Sequence, residues 1–142
     1  MNLPNLSIHS IHQGYKKGEY TVQSLVEELY CKADHWGNPG IWIRRLSLEE
    51  LDIYLRKLES KSMEDLPLYG IPFVIKDNID LENIAITAAC PDFSYMPEGS
   101  ATAVELFIQA GAIPMGKTNL DQFATGLVGV RALLGSGQSS SP

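Results

Sequence analysis

The stretch that most constrains this chain is Phe73-Val-Ile75, an uninterrupted apolar run that ends directly on Lys76. Such a run reads as a strand buried on both faces. A second apolar run, Ala112-Ile-Pro-Met115, reads as another strand, although Pro114 argues for an edge position. Between them, Ser100 is placed to cap a helix carrying Val104, Leu106, Phe107 and Ile108, stopped by Gly111. Lysine is rarely buried unless it is paired. Lys76 is therefore either a surface residue with its stem along apolar neighbours or a functional amine. Spacing alone puts the surface reading first.

The rest of the chain extends the alternation. Residues 1–20 are weakly patterned, and His9, His12, Lys16 and Lys17 read most simply as solvated surface. Two histidines without further ligands nearby are a poor metal site. From Thr21 the pattern is helical: Val22, Leu25, Val26, Leu29 and Tyr30 share a face, Thr21 caps the start, and the end falls near 35–37. Ile41-Trp-Ile43 reads as a short strand. Ser47-Leu-Glu-Glu50 is a capping-box sequence, opening a helix with Leu48, Leu51, Leu55 and Leu58 inward. Asp77 and Asn78 suit either turn chemistry or support of a neighbouring site. Residues 81–96 read as irregular. The order helix, strand, helix, strand, irregular segment, helix, strand predicts an α/β layer structure.

Composition excludes several classes. With 11 Lys and Arg against 17 Asp and Glu, the net charge is −6. That disfavours nucleic acid as a partner. Two cysteines, Cys31 and Cys90, make no disulfide framework and have no metal-ligand spacing. No base stands near Cys90 in sequence, so it reads as small filler and not as a nucleophile. Neither a secretory leader nor a membrane-spanning run is read from the sequence, and a cytoplasmic location is expected. Gly111-Ala-Ile-Pro-Met-Gly-Lys-Thr118 satisfies the phosphate-loop expression. Its first glycine precedes the apparent strand where it should follow one, so phosphate binding is rejected. Lys117 is expected to be a strand-end residue that pairs or faces solvent.

Several segments together carry a resemblance: Leu68-Tyr-Gly-Ile-Pro-Phe-Val-Ile-Lys-Asp-Asn78, Thr87-Ala-Ala-Cys-Pro91, Ala110-Gly-Ala-Ile113, and Gly116-Lys-Thr-Asn-Leu-Asp-Gln-Phe-Ala-Thr-Gly-Leu-Val-Gly129. In this order they resemble the amidase signature family, and within it the allophanate hydrolases, over roughly residues 20–131. The resemblance reverses the reading of Lys76. It implies the N-terminal part of a mixed sheet flanked by helices, and a Ser–cis-Ser–Lys triad in which Lys76 is the general base. That role needs a neutral amine near neutral pH. Free lysine titrates near ~10.4, and burial is one way to favour the neutral form. An arginine could not serve, because it does not release its proton. The resemblance also implies that Thr125 and Gly126 line the acyl pocket of a small-molecule amide substrate. It implies no metal, no organic cofactor and no membrane partner, and a parent that is a homodimer or is linked to urea carboxylase.

The resemblance stops after Arg131, so 1–131 is expected to be an amidase portion and 132–142 a divergent, disordered tail. The family's serine loop is Gly-Gly-Ser-Ser-Ser-Gly-Ser-like. Ser139, Ser140 and Ser141 lack the glycine pair before them and the Gly-Ser after them. Only the lysine of the triad is then present, and the 142 residues alone are expected to be inactive and poorly stable. Two other readings are another amidase of the family, including the amidotransferase component that feeds ammonia to misacylated tRNA, and a non-catalytic truncated product.

Overall fold

A computed structural model describes residues 5–35, 40–90 and 92–120. The elements are α1 (Ile8–Lys17), α2 (Val22–His35), β1 (Trp42–Arg45), α3 (Leu48–Glu59), β2 (Pro72–Lys76), α4 (Thr102–Gln109) and β3 (Ile113–Thr118). The α/β alternation expected from the sequence is present, with one helix more than expected. The three strands form one sheet in the order β1-β3-β2. β1 is antiparallel to β3, pairing Trp42 with Thr118, Arg44 with Lys117 and Arg45 with Gly116. β2 and β3 run the same way: Ile113 N–H donates to Ile71 O at 2.9 Å and Asp77 N–H to Thr118 O at 3.1 Å. The sheet is therefore mixed.

The chain divides into two compact units. Among the described residues, the first takes in 5–35, 47–73 and 107–114. Its unexpected element is α1. Ser7 accepts from Ser10 N–H at the N-terminus, and Gly18 closes the C-terminus in the left-handed region. Ile11 and Gly14 are the buried residues of α1, and Ile8, Ile11 and Tyr15 recur at helical spacing, a signal that the expectation of a weakly patterned 1–20 passed over. His12 is not free surface: its Nε2 lies 3.1 Å from Tyr69 O. Ile11 packs with Tyr20 and Leu25, and Tyr15, Leu29 and Ile71 close around them. α2 is capped by Thr21, whose hydroxyl accepts from Ser24 N–H at 3.1 Å. α3 has the full capping box expected of Ser47 and Glu50. Leu51 and Leu58 are buried there, but Leu48 is exposed because it stands in the first turn. Where β2 begins, Gly70 adopts φ +66, and an added Cβ would meet Val22 Cγ2 at 2.6 Å. Only glycine fits both demands.

Tyr15 ties α1 to that turn, its hydroxyl donating to Gly70 O at 2.8 Å. Burial pushes the Tyr15 phenol above its ordinary value of 10.0, and Tyr20 and Tyr69 push it further. The unfolded chain therefore releases this proton first, and the stability associated with it is present below about pH 10 and lost as pH rises beyond. Tyr15→Phe is expected to cost about 1 kcal/mol at pH 7. The stability difference between parent and variant should shrink above pH 10, as followed by urea melts across the alkaline range. A constant difference from pH 8 to 11 would contradict this assignment.

Among the described residues, the second unit takes in 40–46, 74–90, 92–106 and 115–120. Leu46, Ile75, Leu81, Ile84, Ile86, Ala88, Ala89, Val104 and Met115 are buried in it. α4 starts at Thr102, and Ser100 does not cap it: the Ser100 hydroxyl accepts from Glu82 N–H at 2.9 Å. Leu106 and Phe107 are exposed, against expectation, since α4 buries only Val104. Gly111 does stop the helix, donating to Ile108 O at 3.0 Å. Pro114 lies in the central strand and not at an edge. The β1 ladder covers Gly116 to Thr118, so the missing N–H of Pro114 falls outside it.

Candidate active site

β2 is an outer strand of the sheet, and its residues alternate. Ile75 is 3% exposed, whereas Val74 is 52% exposed and Lys76 is exposed beside it on the same face. The expectation of burial on both faces is thus corrected: the described residues cover one face of β2. The apolar surroundings expected for the Lys76 amine are not among them. Among the described residues, no hydrogen bond or ion pair reaches that amine.

The fully buried lysine is Lys117, and its carboxylate partner is Asp77, both at 0% exposure. This overturns the reading of Lys117 as solvent-facing and bears out the reading that it pairs. Its Nζ stands 3.6 Å from Asp77 Oδ1. It also donates to Ile79 O, and to Asp77 O at 3.4 Å. Burial pushes the Lys117 amine below its ordinary 10.5, and the Asp77 carboxylate opposes that shift. Asp77 Oδ2 accepts from Thr87 N–H at 3.0 Å and from the Thr87 hydroxyl at 2.6 Å. Oδ1 makes no hydrogen bond among the described residues and relies on the Lys117 charge.

Local sequence explains this cluster. Gly116 lets β1 pass close by: an added Cβ would lie 2.5 Å from Arg44 O and 2.8 Å from Arg45 Cα. The glycine before Lys117 thus serves strand packing, in agreement with the rejected phosphate loop. Thr87 is held by a tight turn in which Cys90 N–H donates to Thr87 O at 2.8 Å, with Ala88 at φ 49 and Ala89 at φ 59. Two alanines in the left-handed region persist only where the surroundings over-determine them. Asp77 serves more than turn chemistry, since its carboxylate ties 87 to 117 within this unit. Asn78 is exposed. Thr125 and Gly126, the tail 132–142 and its three serines lie outside the described residues. Among the described residues no three His, Cys, Asp or Glu side chains gather as a metal site, and no helix is long and apolar enough to cross a membrane.

The Amidase family model matches residues 25–139, and the chain belongs to that family. It is 50% identical over 123 residues to urea amidolyase of Lachancea kluyveri, covering 86% of this chain and 7% of that protein. Its structure is similar to Kluyveromyces lactis allophanate hydrolase, with a TM-score of 0.79 at 41% identity over 91% of this chain and 21% of that one. It is also 33% identical over 130 residues to a glutamyl-tRNA(Gln) amidotransferase component of Desulforamulus reducens, covering 89% of this chain and 27% of that protein. The chain therefore spans well under a third of each relative's length.

Proposed function

We propose that this chain is the lysine-bearing portion of an amidase domain that hydrolyses allophanate, ultimately to ammonia and carbon dioxide. The supporting observation is the higher identity to urea amidolyase, 50% against 33% for the amidotransferase component. In this reading the Lys76 amine, as general base, accepts a proton through a bridging serine as a nucleophilic serine attacks the substrate carbonyl. An acyl-serine forms as the amine leaves, and water then releases the acyl group. Both serines belong to the Ser–cis-Ser–Lys triad inferred from the family, and Lys76 is the member identified in this chain. Thr125 and Gly126 line the acyl pocket, and no metal or organic cofactor takes part. The whole protein acts in the cytoplasm, linked to a urea carboxylase that supplies the small-molecule substrate.

The test is ammonia release by the complete amidase domain that carries this chain, with allophanate and glutamine offered separately. Turnover of allophanate at least a hundredfold faster than glutamine is the expected result. Preference for glutamine would move the assignment to the amidotransferase class. Turnover of neither would favour a non-catalytic product.

A further inference from the structure

We propose that Thr87 and Lys117 are positioning residues for amide cleavage, holding Lys76 in register through the Asp77 carboxylate and the Ile79 carbonyl. The proposal rests on the reading of Lys76 as the base. What the described residues can fix is the backbone from which the Lys76 side chain leaves β2. That backbone is tied immediately downstream at several points. Asp77 N–H donates to Thr118 O at 3.1 Å, and Ile79 N–H donates back to Lys76 O at 2.9 Å. Ile79 O accepts from Lys117 Nζ. The Asp77 carboxylate is gripped by Thr87 through two donors and faces Lys117 at 3.6 Å.

These contacts converge on Asp77 and Ile79, in the turn that follows Lys76, which is more than the burial of a lysine requires. A lysine needing only neutralisation could take a single carboxylate. Here the ammonium also takes the carbonyls of residues 77 and 79, so it fixes the turn itself. The Thr87 hydroxyl bond, at 2.6 Å to an ionised oxygen, belongs to the short charge-assisted class. Reacting groups displaced by roughly 1 Å can lose on the order of a hundredfold in rate. A partial loosening of this turn is expected to cost about tenfold.

The test uses the complete amidase domain carrying this chain, with allophanate as substrate. Thr87→Val removes the hydroxyl and keeps the branched shape; Thr87→Ser keeps the hydroxyl. Thr87→Val is expected to lower kcat about tenfold with KM changed less than about threefold, and Thr87→Ser to stay within about threefold of the parent. A purely structural role would lower Tm in both variants and leave kcat per folded enzyme unchanged. A loss of kcat under fivefold in Thr87→Val overturns the proposal, as does an equal loss in Thr87→Ser. If Thr87→Val fails to fold, Thr87→Ala carries the same thresholds. An active parent whose Lys76→Ala variant turns over normally removes the base reading itself, and the positioning role with it.

Discussion

Replacing Lys117 with methionine is expected to destabilise the chain by about 3–5 kcal/mol, the usual cost of leaving one member of a buried ion pair uncompensated. Methionine fills a similar volume, so the loss is one of charge and hydrogen bonds more than of packing. The Asp77 carboxylate would remain at 0% exposure with Oδ1 facing no cation, and the Ile79 carbonyl would lose its donor. The loss is to be read in the complete amidase domain that carries this chain, where it is a large share of the roughly 5–15 kcal/mol that holds an ordinary domain. Adding Asp77→Asn should recover part of the loss, because the buried charge is then gone while Thr87 keeps an oxygen acceptor. The urea midpoint at constant m-value is the measurement. A loss below ~1 kcal/mol would place Lys117 among the screened surface ion pairs and contradict its burial.

The second large effect is catalytic. In the complete amidase domain, Lys76→Ala is expected to lower kcat by about 10²–10⁴, the range for loss of a general base. The variant should still fold, so that the loss is read in kcat and not in the amount of folded enzyme. The two lysines thus separate by the size of each readout: Lys117 carries the larger stability effect, with only about a tenfold loss of kcat per folded enzyme expected through the turn after Lys76, and Lys76 carries the larger rate effect. A melt and a turnover assay on both variants check the separation. Equal stability losses in the two would contradict it.

Much of the fold was legible because the signals were local. The capping box at Ser47, the Thr21 cap and the Gly111 stop each rest on a few adjacent residues, and each formed as expected. α1 was legible in the helical spacing of Ile8, Ile11 and Tyr15 but was passed over, since its buried face is small and Tyr20 packs from beyond the helix. Among the described residues, the apolar run before Lys76 is covered on one face only, since periodicity cannot say whether a strand stands at the edge of its sheet, and there β2 does. The family resemblance pointed to Lys76 but left Lys117 without a role. The 40 residues separating Lys117 from Asp77 hide their pairing from any reading of spacing. Thr87 stood inside one of the family-like segments, yet its grip on Asp77 needed the turn through Ala88 and Ala89 to become visible.

The central claim is that the Lys76 amine accepts a proton. Lys76→Arg tests it most directly, because arginine keeps the charge and the long stem but does not give up its proton to become a base. The measurement is kcat on allophanate for this variant in the complete amidase domain, with folding checked by circular dichroism. The expected result is a loss about as large as that of Lys76→Ala, on the order of a hundredfold or more. Retention of more than about a tenth of parental kcat would leave less than ~1.4 kcal/mol of barrier at stake. That result would return Lys76 to the surface reading that spacing alone suggests.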